Sequence, residues 1–185
     1  MRRFVVVGVL ALSAGVAGGC GGSPFGDAAI ANAVDTVVLS ALVGTPLNSP
    51  SGYSVADAAA VRTDQSAGFD FVFNIDNSGS PVFLPLAVIG LTSSTAPPGL
   101  LPTDDQFADI REAPLNGYVT FDTVHIAVGQ RYVIRGRIVC TVLGVPHYGK
   151  LHVLGINPTE RTVTFEVLAN QNCGFRSLVP GLPED

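Results

Sequence analysis

Apolar and polar positions alternate along much of this chain, and sustained helical spacing is rare. Phe69, Phe71, Phe73 and Ile75 share one parity while Asp70 and Asn74 take the other, the period of a half-buried strand. Asn77-Ser78-Gly79-Ser80 predicts a turn, and residues 82–91 predict the returning strand, interrupted by Pro85 as in an edge or bulged strand. Further strands are predicted near 118–127, 131–142, 147–156 and 161–169. Val128-Gly129-Gln130, Gly144-Val145-Pro146 and Asn157-Pro158-Thr159-Glu160 separate them. Tyr132, Ile134, Ile138 and Cys140 would share one face, as would Val163, Phe165 and Val167. Short connections make these neighbours antiparallel.

Residues 30–43 fit either period, but Gly44-Thr45-Pro46 stops the segment sharply and Thr36, Val37, Val38 and Val43 are β-branched, so a strand at 35–43 is the reading adopted. Residues 92–102 hold three prolines and two serines and read as a loop. Thr103 can cap a short helix with Asp104 and Asp105 in its first turn, ended by Pro114. The pattern as a whole predicts an all-β domain, an antiparallel β-sandwich or partly open barrel, preceded by an N-terminal signal helix and a flexible tether.

The N-terminal twenty residues break this pattern. Arg2 and Arg3 precede an uncharged apolar run over 4–16, and the small residues Ala17, Gly18 and Gly19 lead into Cys20. That order is an export signal, and the run is shorter than the roughly 20 apolar residues that span a bilayer. The sequence Ala17-Gly18-Gly19-Cys20 resembles the lipobox of bacterial lipoproteins, with Ala17 where that family most often has Leu. The resemblance covers these residues only. It implies acylation of the Cys20 thiol, cleavage before it, and a membrane anchor; an ordinary cleaved signal with an incidental cysteine is the alternative. Gly21 follows the cysteine, where enterobacterial lipoproteins retained at the inner membrane carry Asp, so outer-membrane placement is favoured if the cell has one. The expected organisation is a signal peptide over 1–19, a lipidated cysteine and tether over 20–33, and one β domain over 34–185.

Composition narrows the partners. The formal net charge is −5, and removing Arg2 and Arg3 makes the remainder more negative still, which argues against nucleic acid. With 47% hydrophobic and 14% charged residues, apolar surface turned toward a partner or a membrane is expected. If the Cys20 sulfur is a thioether, Cys140 and Cys173 remain as a pair, and in an oxidising compartment they predict a disulfide that pins the C-terminal tail.

Candidate chemistry is sparse. Asn74-Ile75-Asp76-Asn77-Ser78-Gly79 has the oxygen spacing of half a calcium loop, but the closing acidic ligand is replaced by Pro85, and a hairpin turn explains it better. His125, His147 and His152 lack ligand spacing, so no metal is expected and no pattern requires a cofactor. Arg131, Arg135 and Arg137 share a parity opposite to Ile134 and Ile138; with Lys150 and His152 on the adjoining hairpin they outline a basic face for an anionic ligand, or ordinary cross-strand charge pairs. There is no nucleophile elbow and no phosphate loop, so no catalytic residue is assigned. The expectation is a non-enzymatic binding or structural module, lipid-anchored in the bacterial cell envelope, whose partner is the membrane itself through Cys20 and an envelope protein, glycan or anionic small molecule. An envelope hydrolase with His125, His147 or His152 as base is the alternative.

Overall fold

A computed structural model describes residues 24–91 and 96–183; the segment expected to be a signal peptide, and Cys20 with its expected lipidation, lie outside the described residues. The strands are β1 (Val34–Ser40), β2 (Gly52–Ser54), β3 (Ala59–Val61), β4 (Phe71–Ile75), β5 (Pro81–Pro85), β6 (Gly99–Thr103), β7 (Val124–His125), β8 (Arg131–Arg135), β9 (Tyr148–Asn157) and β10 (Thr162–Asn170). They form two five-stranded sheets, ordered β1-β10-β9-β8-β6 and β3-β2-β4-β5-β7. Every pairing is antiparallel. Among the described residues there is no helix.

The alternation read from the sequence decides which side chains meet between the sheets. Val37, Leu39, Tyr132, Ile134, Leu151, Val153, Val163, Phe165 and Val167 from the first sheet face Tyr53, Phe71, Phe73, Ile75, Phe83 and Val124 from the second. Aromatic rings fill the centre: Phe71 and Phe83 lie 4.8 Å apart, and Phe165 meets Tyr53 at 5.7 Å and Phe83 at 6.0 Å, all near edge-to-face. Such pairs contribute about 0.5–1.5 kcal/mol each beyond their burial. The outer faces are also covered in part. Val133, Tyr148 and Leu168 pack under Ile110, Ala113 and Leu178, and Val72 packs with Phe69 and Leu86.

Several boundaries differ from the sequence reading, each for a local reason. The strand expected over 131–142 stops at Arg135, because Gly136 N still bonds His147 O while Arg137 N turns away to Asp70, so Ile138 and Cys140 do not continue the core face. The strand expected over 118–127 is reduced to a bridge between Val119 and Leu100 and the two residues of β7. The return from the Asn77 turn ends at Pro85, and the proline-rich stretch expected to be loop contains β6, an edge strand. In place of the helix after Thr103 there is one turn, in which Gln106 O accepts from Asp109 N and Ile110 N.

Candidate functional site

The basic residues singled out in the sequence mostly hold the fold together. Lys150 is only 2% exposed on the outward face of β9. Its Nζ donates to Phe107 O at 2.7 Å and Ile110 O at 2.9 Å, and it sits 4.5 Å from the Phe107 ring centroid. Burial lowers its pKa, opposed by Glu166. Arg131 donates to the carbonyls of Asp105, Gly129 and Asp104, although it also lines a small cavity of about 330 Å³ with Pro102, Gln130 and Tyr132. Arg135 reaches Pro97 O at 2.9 Å and stacks over Tyr118, and His152 Nδ1 meets Glu166 Oε1 at 2.7 Å. Arg131, Arg135, Lys150 and His152 thus share the outward side of their sheet, under a cover of loop. Arg137 is not with them. Its Nε and backbone N both donate to Oδ1 of the buried Asp70, and Asp70 Oδ2 accepts from Val55 N at 2.7 Å. Burial raises the Asp70 pKa, and the donors from Val55 and Arg137 oppose that rise.

The half-calcium loop is an Asx turn: Asp76 Oδ1 accepts from Ser78 N, Ser78 Oγ and Ser80 N, and these bonds hold its carboxyl below the usual range. Asn74 Oδ1 is taken by Val43 N. His125 is exposed on β7.

Cys140 and Cys173 form a disulfide with Cα atoms 5.9 Å apart, joining the loop after β8 to the segment after β10. His147, buried at the entry to β9, places Nε2 3.5 Å from the sulfur of Cys140 and 3.8 Å from that of Cys173. Its other ring nitrogen is buried without a hydrogen-bond partner. Burial holds its pKa below the ordinary value, against weaker opposing pulls from the Gln171 backbone, Asp70 and Asp57. This trio is invisible in sequence because Cys140 and Cys173 straddle a whole hairpin.

A cavity of about 660 Å³ lies at the same end of the sandwich. Phe25, Leu115, Val145, Pro146 and Tyr148 give it an apolar wall, and Arg111, Glu112 and Arg176 reach its rim. Arg176 pairs with Glu112, whereas the Arg111 side chain has no hydrogen bond or ion pair among the described residues. Phe25 belongs to the expected tether, yet residues 25–32 are strapped to the domain. Asn172 Oδ1 accepts from Ala29 N and Ile30 N, Asn172 Nδ2 donates to Ile30 O, and Asn32 pairs with Gly181. The Phe25 ring rests on Gly174, whose φ of +80° and lack of a side chain both suit the contact: a Cβ there would lie 2.9 Å from the ring.

Compared with known proteins, the chain matches no protein-family model, no curated protein and no solved structure.

Proposed function

We propose that the chain is a non-enzymatic binding module, lipid-anchored through Cys20 in the bacterial cell envelope, outer membrane favoured, which receives its ligand in the cavity beside the N-terminal strap. The observation that carries this reading is the strap itself. Residues 29–32 are held by Asn172 and Gly181, and Phe25 forms part of the cavity wall. An extended chain spans at most about 3.6 Å per residue, so a lipidated Cys20 keeps Phe25 within about 18 Å of the membrane surface. The cavity therefore opens close to the lipid headgroups. Its volume is in the range of small-molecule sites, its wall is apolar, and Arg111 is a cation available to an acidic group. A ligand with an apolar body and a carboxylate or phosphate fits that chemistry, and it moves the anionic-ligand idea from the Arg135 face to Arg111.

The alternative of an envelope hydrolase has less in its favour: His152 is engaged by Glu166, His147 by the disulfide, and His125 lies on the surface.

The test has two arms. Mass spectrometry of the mature N-terminus should find acylated Cys20 with residues 1–19 gone, and Cys20→Ser should release the protein from membranes or block its processing. An unmodified Cys20 or a retained Met1 overturns the anchor. Titration with a fluorescent long-chain carboxylate should saturate, and Arg111→Glu should weaken it by about tenfold while Arg131→Glu leaves it unchanged. No saturable binding, or equal effects of the two substitutions, overturns the cavity assignment.

A further inference from the structure

We propose that Cys140, His147 and Cys173 form a redox-gated site for Cu(I), closed when the two cysteines are joined and opened when they are reduced. This stands independently of the anchor and of the cavity. The three ligand atoms lie within 4.8 Å of one another; His147 is held at the entry to β9 and Cys173 between the bonds of Asn172 and Gly174, while Cys140 bridges Val145 across the turn 141–144.

The geometry favours a three-coordinate ion. With metal–ligand bonds of about 2.0–2.3 Å, the edges of a trigonal site are about 3.5–4.0 Å. The two edges from His147 Nε2 to the sulfurs, 3.5 and 3.8 Å, already have that length. Only the sulfur–sulfur edge has to open. Cys140 can supply the movement, because it is half-buried and leads into the exposed turn 141–144, whereas His147 can stay where it is.

The donor set selects the ion. Two thiolates and one imidazole are soft ligands suited to Cu(I), while Zn(II) in structural sites demands four donors, and no fourth metal-binding side chain joins this cluster among the described residues. The role also gives Nε2 of the buried His147, which faces both sulfurs, an occupant in the reduced state. A ring with its lone pair on Nε2 is the form a metal takes, and Nε2 is the nitrogen turned toward both sulfurs.

Opening requires a dithiol reductant, such as a thiol–disulfide oxidoreductase of the envelope. Its thiolate attacks one sulfur of the Cys140–Cys173 bond and forms a mixed disulfide, and its second thiol then displaces the protein. Two electrons and two protons pass to Cys140 and Cys173, and the reductant leaves as its own disulfide. Cu(I) then binds both sulfurs with release of two protons, giving a site of net charge −1; the charges that reach His147 are those of Asp70 and Asp57, opposed by Arg137. Reoxidation by a disulfide acceptor would expel the ion.

The experiment uses the full chain as purified from its cell, oxidised or reduced with a phosphine that is then removed, and titrated anaerobically with Cu(I) buffered by a chromophoric chelator. Reduced protein should take one equivalent and oxidised protein none. His147→Gln, which keeps the disulfide and so the fold, should weaken binding about tenfold or more. The Cys140→Ser/Cys173→Ser double variant should lose it, and circular dichroism should show the β-sheet signal retained in the reduced state. Equal uptake by oxidised protein, by His147→Gln or by the double variant overturns the proposal. So does a preference for Zn(II) over Cu(I), or unfolding on reduction.

Discussion

Asp70 is the residue on which the two sheets are joined. It lies one position before β4, and its carboxylate takes backbone donors from Val55, after β2, and from Arg137, after β8, as well as the Arg137 guanidinium. Only the first two donors are fixed in place; Arg137 is partly exposed and can be hydrated. Asp70→Ala therefore leaves the buried Val55 amide and the half-buried Arg137 amide without an acceptor and should cost about 3 kcal/mol or more. Arg137→Ala leaves both backbone bonds in place and should cost clearly less. Urea denaturation of both variants and of the pair measures this, and equal losses for the two single variants would show that the guanidinium, not the backbone, holds the carboxylate. Sequence alternation marks Asp70 as pointing away from its Phe neighbours, but Arg137 is 67 residues distant and its parity was set by a strand that ends two residues earlier. Lys150 hides for the same reason: nothing in the local pattern says that a loop will cover the outward face of β9.

At the level of elements, strands with a long, clean period were legible and short ones were not. β4, β9 and β10 are found where alternation predicts them, and β9 and β10 pair over nearly their whole length. β2 and β3 are three residues each, too short to display any period, and β6 is masked by Pro102, which an edge strand tolerates because one side of it needs no donors. The strap over residues 25–32 reads as tether because its one glycine and three alanines carry no periodic signal. The Asn172 carboxamide holds its middle, and the pairing of Asn32 with Gly181 holds its end. Asn172→Ala should leave Ala29 N and Ile30 N unpaired, lowering global stability by about 1–2 kcal/mol. Hydrogen exchange should rise sharply at Ala29 and Ile30 and stay unchanged at Asn32, in β9 and in β10. Protection of Ala29 and Ile30 that survives the substitution would mean that the Phe25 contact, not Asn172, holds the strap.

Across the whole molecule, the four tyrosines report on one event. Tyr53, Tyr118, Tyr132 and Tyr148 are all the tyrosines of the chain, and burial raises the pKa of every one. Asp35 and Asp70 add to the rise at Tyr53, and Tyr148 adds to it at Tyr118. Arg135 opposes it at Tyr118 and Tyr148, and Tyr132 is pushed up to about 12 by burial alone. Because each hydroxyl ionises at higher pH in the folded chain than in the unfolded one, each contributes stability that is whole below pH 10 and is lost as pH climbs from 10 through the folded value. The four losses all fall above pH 10. The chain has no tryptophan, so tyrosinate absorbance can be followed without interference. A spectrophotometric titration should therefore show little ionisation near pH 10, then a steep rise at higher pH that coincides with loss of the β-sheet circular dichroism. Tyr132→Phe removes one contributor, and should shift that coupled transition to higher pH unless the loss of its bonds to Gln130 and His125 weakens the fold first, which thermal denaturation at pH 7 would separate. A smooth titration of all four groups centred near pH 10 with the sheet signal intact would show that these hydroxyls meet solvent, and that the loops over Tyr118 and Tyr148 do not stay closed.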